Sequence, residues 1–595
     1  MSEQLPRPSR PFSRRQFLST TGLIVGGLAV GATFTQCADD DSPTPPTPMD
    51  VGFFHGVASF DPTQNQVILW TRFSPGSLGV IQRRIPIRYQ ISKNPNFTGR
   101  KMTGVVFAEQ RNDFTVSLDV SSLDPGTKFY YKFLARGVES IVGETYTLPN
   151  NTSSVKLAVC SCSNYPAGLF NVYGAIAESD ADVVIHLGDY IYEYALGQYG
   201  TNETTTALGR EPDPITEILT LQDYRARYRQ YRSDPQLQAA HSKKPFICVW
   251  DDHEFTNDAW VNGAENHDPS EGNWADRKAI AYQVYSEYLP FRTDDITKIY
   301  RSFQFGNLVN LVMLDTRIEG RSEQLSFGNY FDPKTGQFDV PAFQTDWLDP
   351  TRSLLGPEQL NWAIGEVTGS SATWQVLGQQ VLMGKMNVPF ELLSLIALIA
   401  GGNVSPEIIA QFQQLLGELV TIKARILAGD PTVTPEERAR VETVLPYNLD
   451  AWDGYPIERE ILLNSIGDCN LAVLAGDTHN GWQSQLTTQT GRVAGNEFAT
   501  PSVTSPGFEQ LFGTDPQVIA GFEQSLQILI DDLNYLDAAR RGYLSVEFTP
   551  GNVVAEWNFI STIASLNTST IIGNTITANC SMMSKLAKDK APTMA

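Results

Sequence analysis

The chain has 595 residues, 42% hydrophobic and 18% charged, with a formal net charge of −22. That length and balance describe an ordinary globular protein of more than one domain, and the acidity excludes nucleic acid or an anionic membrane surface as main partner, since both need basic patches. Six scattered cysteines exclude a disulfide framework, and six histidines exclude an imidazole-rich metal site.

Residues 1–49 read as an export signal and a tether. Ser13-Arg14-Arg15-Gln16-Phe17-Leu18 precedes a Gly-rich apolar run over 22–34. That run is shorter than the roughly 20 residues of a membrane span and suits a removed signal. The paired arginines resemble the twin-arginine signal, which implies the twin-arginine translocase as an export partner and a periplasmic or extracellular destination. Cys37 opens an acidic, Pro-rich stretch ending at Pro48, an extended tether. Phe34-Thr35-Gln36 before it is a poor lipobox, so a lipid anchor at Cys37 and a freely released chain both stand as readings.

Residues 50–150 pattern as an all-β domain. Runs at 67–72, 85–92, 114–120, 128–137 and 144–148 are rich in Val, Ile, Tyr, Phe and Thr, with turn residues between them. This spacing predicts a small fibronectin- or Ig-like sandwich. From 151 to about 570 strand and helix patterns alternate, with helices at 169–178, 221–231 and 274–288 and strands at 308–314 and 374–377, which argues for a layered α/β domain. The apolar run 392–400 is too short to span a membrane and reads as part of a helical insert at about 390–444, which either caps a cleft or merely packs. β patterning returns over 542–563, and 571–595 reads as a C-terminal tail. Cys469 and Cys580 are the pair whose bridging the sequence leaves open.

Four β-type runs end in chemistry-bearing residues. The run 155–159 leads into Cys160-Ser161-Cys162-Ser163-Asn164, and 183–187 into Gly188-Asp189-Tyr190-Ile191-Tyr192. The run 245–250 leads into Asp251-Asp252-His253-Glu254, and 471–475 into Gly476-Asp477-Thr478-His479. Short apolar runs stopped in this way suit buried strands. Open α/β sheets keep their ligand sites at the carboxyl ends of strands. The four ends are therefore expected to build one site at one edge of a sheet. Together they offer a thiol (Cys162), carboxylates (Asp189, Asp251, Asp252, Asp477), a phenol (Tyr192) and two imidazoles (His253, His479). Thiolate and phenolate suit trivalent iron, and carboxylate-only surroundings suit a hard cation such as Ca²⁺. His186, inside an apolar run, reads as a hydrogen-bonded core histidine, and Cys160 and Cys248 as core thiols.

In this order the four motifs resemble the PhoD-like alkaline phosphatase family, within the calcineurin-like metallophosphoesterases. Gly56-Val-Ala-Ser-Phe-Asp-Pro62, Leu314-Asp-Thr-Arg317 and Leu377-Gly-Gln-Gln380 extend the resemblance over nearly the whole chain after the signal. It implies a metallophosphoesterase β-sandwich flanked by helices behind the small all-β domain. It also implies an exported, metal-dependent alkaline phosphatase that hydrolyses phosphate esters by metal-activated hydroxide attack. Carried over by residue, Cys162, Asp189, Tyr192 and His479 would hold Fe³⁺, and Asp189 would bridge to Ca²⁺ held also by Asp252 and Asp477. His253 would protonate the leaving group, and Arg317 would contact phosphate oxygens or else form a structural salt bridge. Zinc or manganese are the substitute metals. A phosphodiesterase of phospholipase D or teichoic-acid type is the alternative activity, and an exported binding protein the alternative class.

Overall fold

A computed structural model describes residues 51–76, 83–332, 334–335, 337–400 and 405–580. The twin-arginine stretch, the tether and Cys37 lie outside the described residues. Among those described, no helix is long and apolar enough to cross a membrane.

Two sheets face each other. The first has nine strands in the order Thr570–Asn579, Asn552–Ile560, Gly542–Phe548, Val155–Cys160, Val183–His186, Pro245–Cys248, Val57–Phe60, Val67–Arg72, Thr115–Val120. The second has seven, in the order Arg301–Phe305, Val309–Met313, Trp374–Gly378, Leu471–Ala475, Val493–Ala499, Gly481–Thr487, Leu533–Asp537. A single core joins them, with Val159, Ile185 and Leu544 from the first packed with Val309, Leu311 and Leu474 from the second. The central strands are apolar on both faces and buried throughout, the pattern of parallel strands covered on both sides.

Register brings the functional segments to one level. His186 lies opposite Cys160 on one side and Cys248 on the other, both in parallel pairing. The three strands therefore stop together, and the segments that follow emerge side by side. In the second sheet Gly378 lies opposite Leu474, also in parallel. A parallel bridge between Ser161 and Ser502 ties the two sheets at this end. The fourth motif thus arrives from the facing sheet, so the site spans two sheets rather than one edge.

The N-terminal region expected over 50–150 is all-β, and it shares a sheet with the rest of the chain. Val57–Phe60 pairs in parallel with Pro245–Cys248, and Val67–Arg72 and Thr115–Val120 continue the same nine-stranded sheet. A second layer, Lys101–Glu109, Arg84–Ser92, Lys128–Ala135 and Val138–Glu139 with Gly143–Tyr146, packs on this extension through Ile85, Ile87 and Tyr131 against Val67, Leu69 and Val116. The run Val57–Phe60 is apolar on both faces because it is an internal strand, which a local pattern cannot show. Arg72 and Asp113 of this region form an ion pair, and Arg229 of the helix Leu221–Arg232 binds the same carboxylate.

Helices Phe390–Ala400, Pro406–Leu427 and Pro435–Glu442 occupy the insert, started by Ser405 and Thr434 as N-caps. Asn387–Pro389 and Val444–Pro446 pair antiparallel at its neck. The tail expected from 571 begins inside a strand: Thr570–Asn579 pairs with Asn552–Ile560 along its full length. Its alternation of Thr and Asn with Ile hides it, since both faces stay largely exposed. The described cysteines, including Cys469 and Cys580, are all unbridged.

Candidate metal centre and its cleft

Backbone strain marks the site before any side chain is considered. Cys162, Asp189, Asp477 and His479 all have φ between 55° and 64°, the left-handed region that ordinary residues avoid. Such strain persists where the surroundings over-determine it, and it clusters at functional sites. Here main-chain bonds hold it: Cys162 N–H donates to Gly188 O at 3.1 Å, and Ser505 N–H and Oγ donate to Cys162 O at 3.2 and 2.8 Å. Gly188, at φ 102°, is required for the close approach; a Cβ there would lie 2.3 Å from Asp251 Cβ and 2.6 Å from its backbone nitrogen.

The side chains converge. Tyr192 OH donates to Asp189 Oδ2 at 2.8 Å and lies 2.7 Å from Ser505 Oγ and 3.2 Å from His479 Nε2. His479 Nδ1 is 2.7 Å from Pro506 O. A carbonyl only accepts, so Nδ1 carries the proton and the Nε2 lone pair faces the cluster. Ligand-type atoms of Cys162, Asp189 and His479 lie within 4.8 Å of one another, as do those of Asp189, Asp252 and His253 and those of Asp251, Asp252 and Asp477. Asp189 joins the first two groups and Asp252 the last two. All are buried.

Charge makes this arrangement unstable without a counter-ion. Burial, with Asp252 and Asp477 nearby, pushes Asp189 up to about 7 against the pull of His253. Burial, then Asp189, raises the Cys162 thiol and the Tyr192 phenol far above their ordinary values. Asp189 Oδ1 and Asp251 Oδ2 are buried with no hydrogen-bond partner. Orphaned carboxylate oxygens, a thiol and a phenol that only a cation would deprotonate, and an imidazole lone pair facing inward together fit metal ions.

His253 behaves differently. Its Nδ1 is 2.7 Å from Glu193 Oε2, and its ring stacks at 4.2 Å on Tyr192. Burial alone would lower its pKa, but Glu193, Asp252 and Asp189 outweigh it and hold the ring well above its usual value, as imidazolium. Glu193 is itself held down to about 2 against its burial by His253 and by N–H donors of Asn257 and Asn266.

Arg317 sits in a network of carboxylates. It is fully buried, bonded through Nε to Asp251, through Nη1 to both oxygens of Asp450 (2.9 and 2.8 Å), and through Nη2 to Asp477 at 2.9 Å. It does not line the cavity that opens on the cluster, and this network is the structural salt bridge that was one of its two readings. Besides Glu193, two further supporting acids have no role assigned from the sequence. Glu254 sits within its motif and accepts from the N–H groups of Asp189 (3.0 Å), Tyr190 and Asp251 (2.6 Å). Asp450 carried no signal, being 133 residues from the Arg317 it pairs with. His186, as expected, is a core residue, with Nε2 2.8 Å from Tyr173 OH.

A cavity of about 210 Å³ opens on the cluster, reached by Asp189, His253, Asp477 and His479.

Residues 157–557 match the model of the PhoD-like phosphatase family, and residues 37–149 that of the PhoD-like phosphatase N-terminal domain. The chain is 31% identical over 566 residues to alkaline phosphatase D of Bacillus subtilis (strain 168), covering 92% of this chain and 84% of that one. A solved structure titled as that of PhoD superposes with a TM-score of 0.69 at 28% identity, over 90% of this chain and 92% of its own.

Proposed function

Because the chain belongs to the PhoD-like phosphatase family, and is thereby a phosphoric ester hydrolase, we propose that Cys162, Asp189, Tyr192 and His479 hold a ferric ion while Asp189, Asp252 and Asp477 hold calcium. The convergence of three ligand groups on Asp189 and Asp252 is the observation that carries this reading. The soft and phenolic donors gather on the iron side and the all-carboxylate group on the calcium side. When bound, such cations supply water activation near neutral pH and neutralisation of phosphoryl charge.

The chain's own residues supply the rest. Asp189, Tyr192 and His479 are pre-oriented by Glu254, Ser505 and Pro506, so little reorganisation is needed on binding. His253, an imidazolium on the cavity wall, gives its Nε2 proton to the leaving alkoxide. Glu193 fixes the ring through Nδ1 and keeps it charged. Export through the twin-arginine route, with or without an anchor at Cys37, belongs to the same proposal and is supported by Arg14, Arg15 and the apolar run after them.

The direct test is elemental analysis and a visible spectrum of the exported protein. About one iron with calcium, and a charge-transfer band lost in Tyr192→Phe or Cys162→Ala, is the expected result. Zinc or manganese with no band would remove the iron assignment, and no stoichiometric metal would overturn the site. A second measurement addresses His253. Glu193→Gln should lower kcat roughly tenfold to a hundredfold, as losses of orienting partners do. Without the carboxylate the imidazolium pKa falls, so the alkaline limb of the pH–rate profile should move to lower pH. An unmoved limb would remove His253 as the acid.

A further inference from the structure

We propose that the cavity beside the carboxylate cluster binds hydrocarbon, and that the phosphate esters this chain favours carry an alkyl chain lying along the helical insert. This deepens the phosphoric-ester reading above and rests on it.

The cavity lining is of two kinds. Asp189, His253, Asp477 and His479 bring the cluster to it, with Asn257, Asn448, Asn480 and Gln510 as further polar residues; most of the rest is apolar, including Leu392 and Ile396 of Phe390–Ala400, Phe412 of Pro406–Leu427, Phe508, and Phe522 and Leu526 of Pro516–Leu529. Phe508 joins this apolar lining, its ring 5.3 Å from Phe522 and 6.1 Å from Trp482. Among the described residues no Lys, Arg or Glu lines the cavity, and its acidic side chains are those of the cluster.

A site built for a sugar phosphate or free phosphate would surround the organic part of the ester with donors and acceptors. Here, beside a few amides and hydroxyls, the lining offers mostly aliphatic and aromatic carbon, on the same cavity that reaches the carboxylates. Apolar pockets with a few convergent polar groups are the usual form of a small-molecule site. The space, about 210 Å³, exceeds the roughly 150 Å³ of a Leu/Ile/Phe-lined cavity that takes up benzene. Several methylenes therefore fit. Much of that lining comes from the insert and from Pro516–Leu529, elements that contribute nothing to the carboxylate cluster, so chain binding and chemistry are separable.

The test is kcat/KM of the metal-loaded full chain on n-alkyl phosphates from methyl to octyl, followed by released phosphate. Methyl to octyl 4-nitrophenyl diesters are run in parallel, and whichever series is hydrolysed carries the readout. Each added methylene should raise kcat/KM about fourfold until the cleft is full, the factor that burying one CH₂ gives. Ile396→Trp, at a half-buried wall position, should cut the octyl-to-methyl ratio about tenfold by filling the space the chain would occupy; a ratio is insensitive to loss of folded protein. Rates independent of chain length, or a ratio unchanged in Ile396→Trp, would overturn the proposal while leaving the hydrolase intact. Hydrolysis of neither series by metal-loaded protein would overturn the phosphoric-ester reading, and this inference with it.

Discussion

Asp189→Asn is expected to lower kcat/KM for phosphate esters about a thousandfold or more, a loss of about 4 kcal/mol of transition-state stabilisation, while leaving the metal-free chain at least as stable as the parent. Asp189 belongs to two of the three ligand groups and is shared by both proposed metal positions, so its loss should weaken both. The opposite effect on stability follows from charge. In the metal-free chain Asp189 is a buried carboxylate crowded by Asp252 and Asp477, and burial first, then these neighbours, holds its pKa near 7. A folded-state pKa above the unfolded value means the ionised group opposes folding at neutral pH. The amide keeps an oxygen for Tyr192 OH and turns the other position, which lacks a partner, into a donor beside carboxylates. Elemental analysis should show metal lost, and melting in chelator should show Tm equal or raised. Parent-level activity in Asp189→Asn would refute the site.

Arg317→Met should be the most destabilising single change at the site, by about 3–5 kcal/mol, the cost of leaving a buried ion network without its cation. One guanidinium answers Asp251, Asp450 and Asp477, with Asp252 at 3.6 Å. Burial works against its charge, and these four carboxylates outweigh that and hold it firmly protonated. Methionine keeps much of the volume and none of the donors. Lysine, a point charge without the planar fork, should rescue only part of the loss. The sign of the pH dependence is fixed: burial already raises Asp251, and losing the guanidinium shifts the orphaned carboxylates upward. Their penalty is greatest at high pH and shrinks as the pH falls and they take up protons. Melting in chelator at several pH values measures this, and a variant with parental Tm throughout would show that Arg317 carries no such burden.

The two substitutions separate what a carboxylate does from what a guanidinium does in one buried cluster. Loss of Asp189 removes function and relieves repulsion. Loss of Arg317 removes the one positive charge that Asp251, Asp450 and Asp477 share, so both metal binding and the fold should suffer.

Much of the site was readable from local pattern. An apolar run that stops at a small residue and then offers Cys, Asp or His is a strand end, and four such ends put forward Cys162, Asp189, Tyr192, Asp251, Asp252, His253, Asp477 and His479 without coordinates, while the choice of Asp252 over Asp251 came from the family resemblance. Strand formation and the left-handed turn after it are short-range matters, decided by side chains within a few residues. Even His186 could be placed, because an imidazole inside an apolar run must find a partner in the core.

Tertiary structure alone decided the rest, because partnership across a fold leaves no mark on sequence spacing. That Asp477 comes from the facing sheet, that Val57–Phe60 joins the catalytic sheet, and that Thr570–Asn579 closes its far edge are facts of pairing between segments distant along the chain. Arg317 next to Leu314-Asp315-Thr316 has the look of a ligand-binding fork, yet Asp450, 133 residues away, takes one arm of it. Likewise an apolar helix at 390–400 has the same composition whether it fills a core or walls a cleft. Only the presence of Leu392 and Ile396 on the cavity that also reaches Asp189 and Asp477 tells the two apart: hydrophobic burial is indifferent to direction, and packing against specific neighbours supplies the direction.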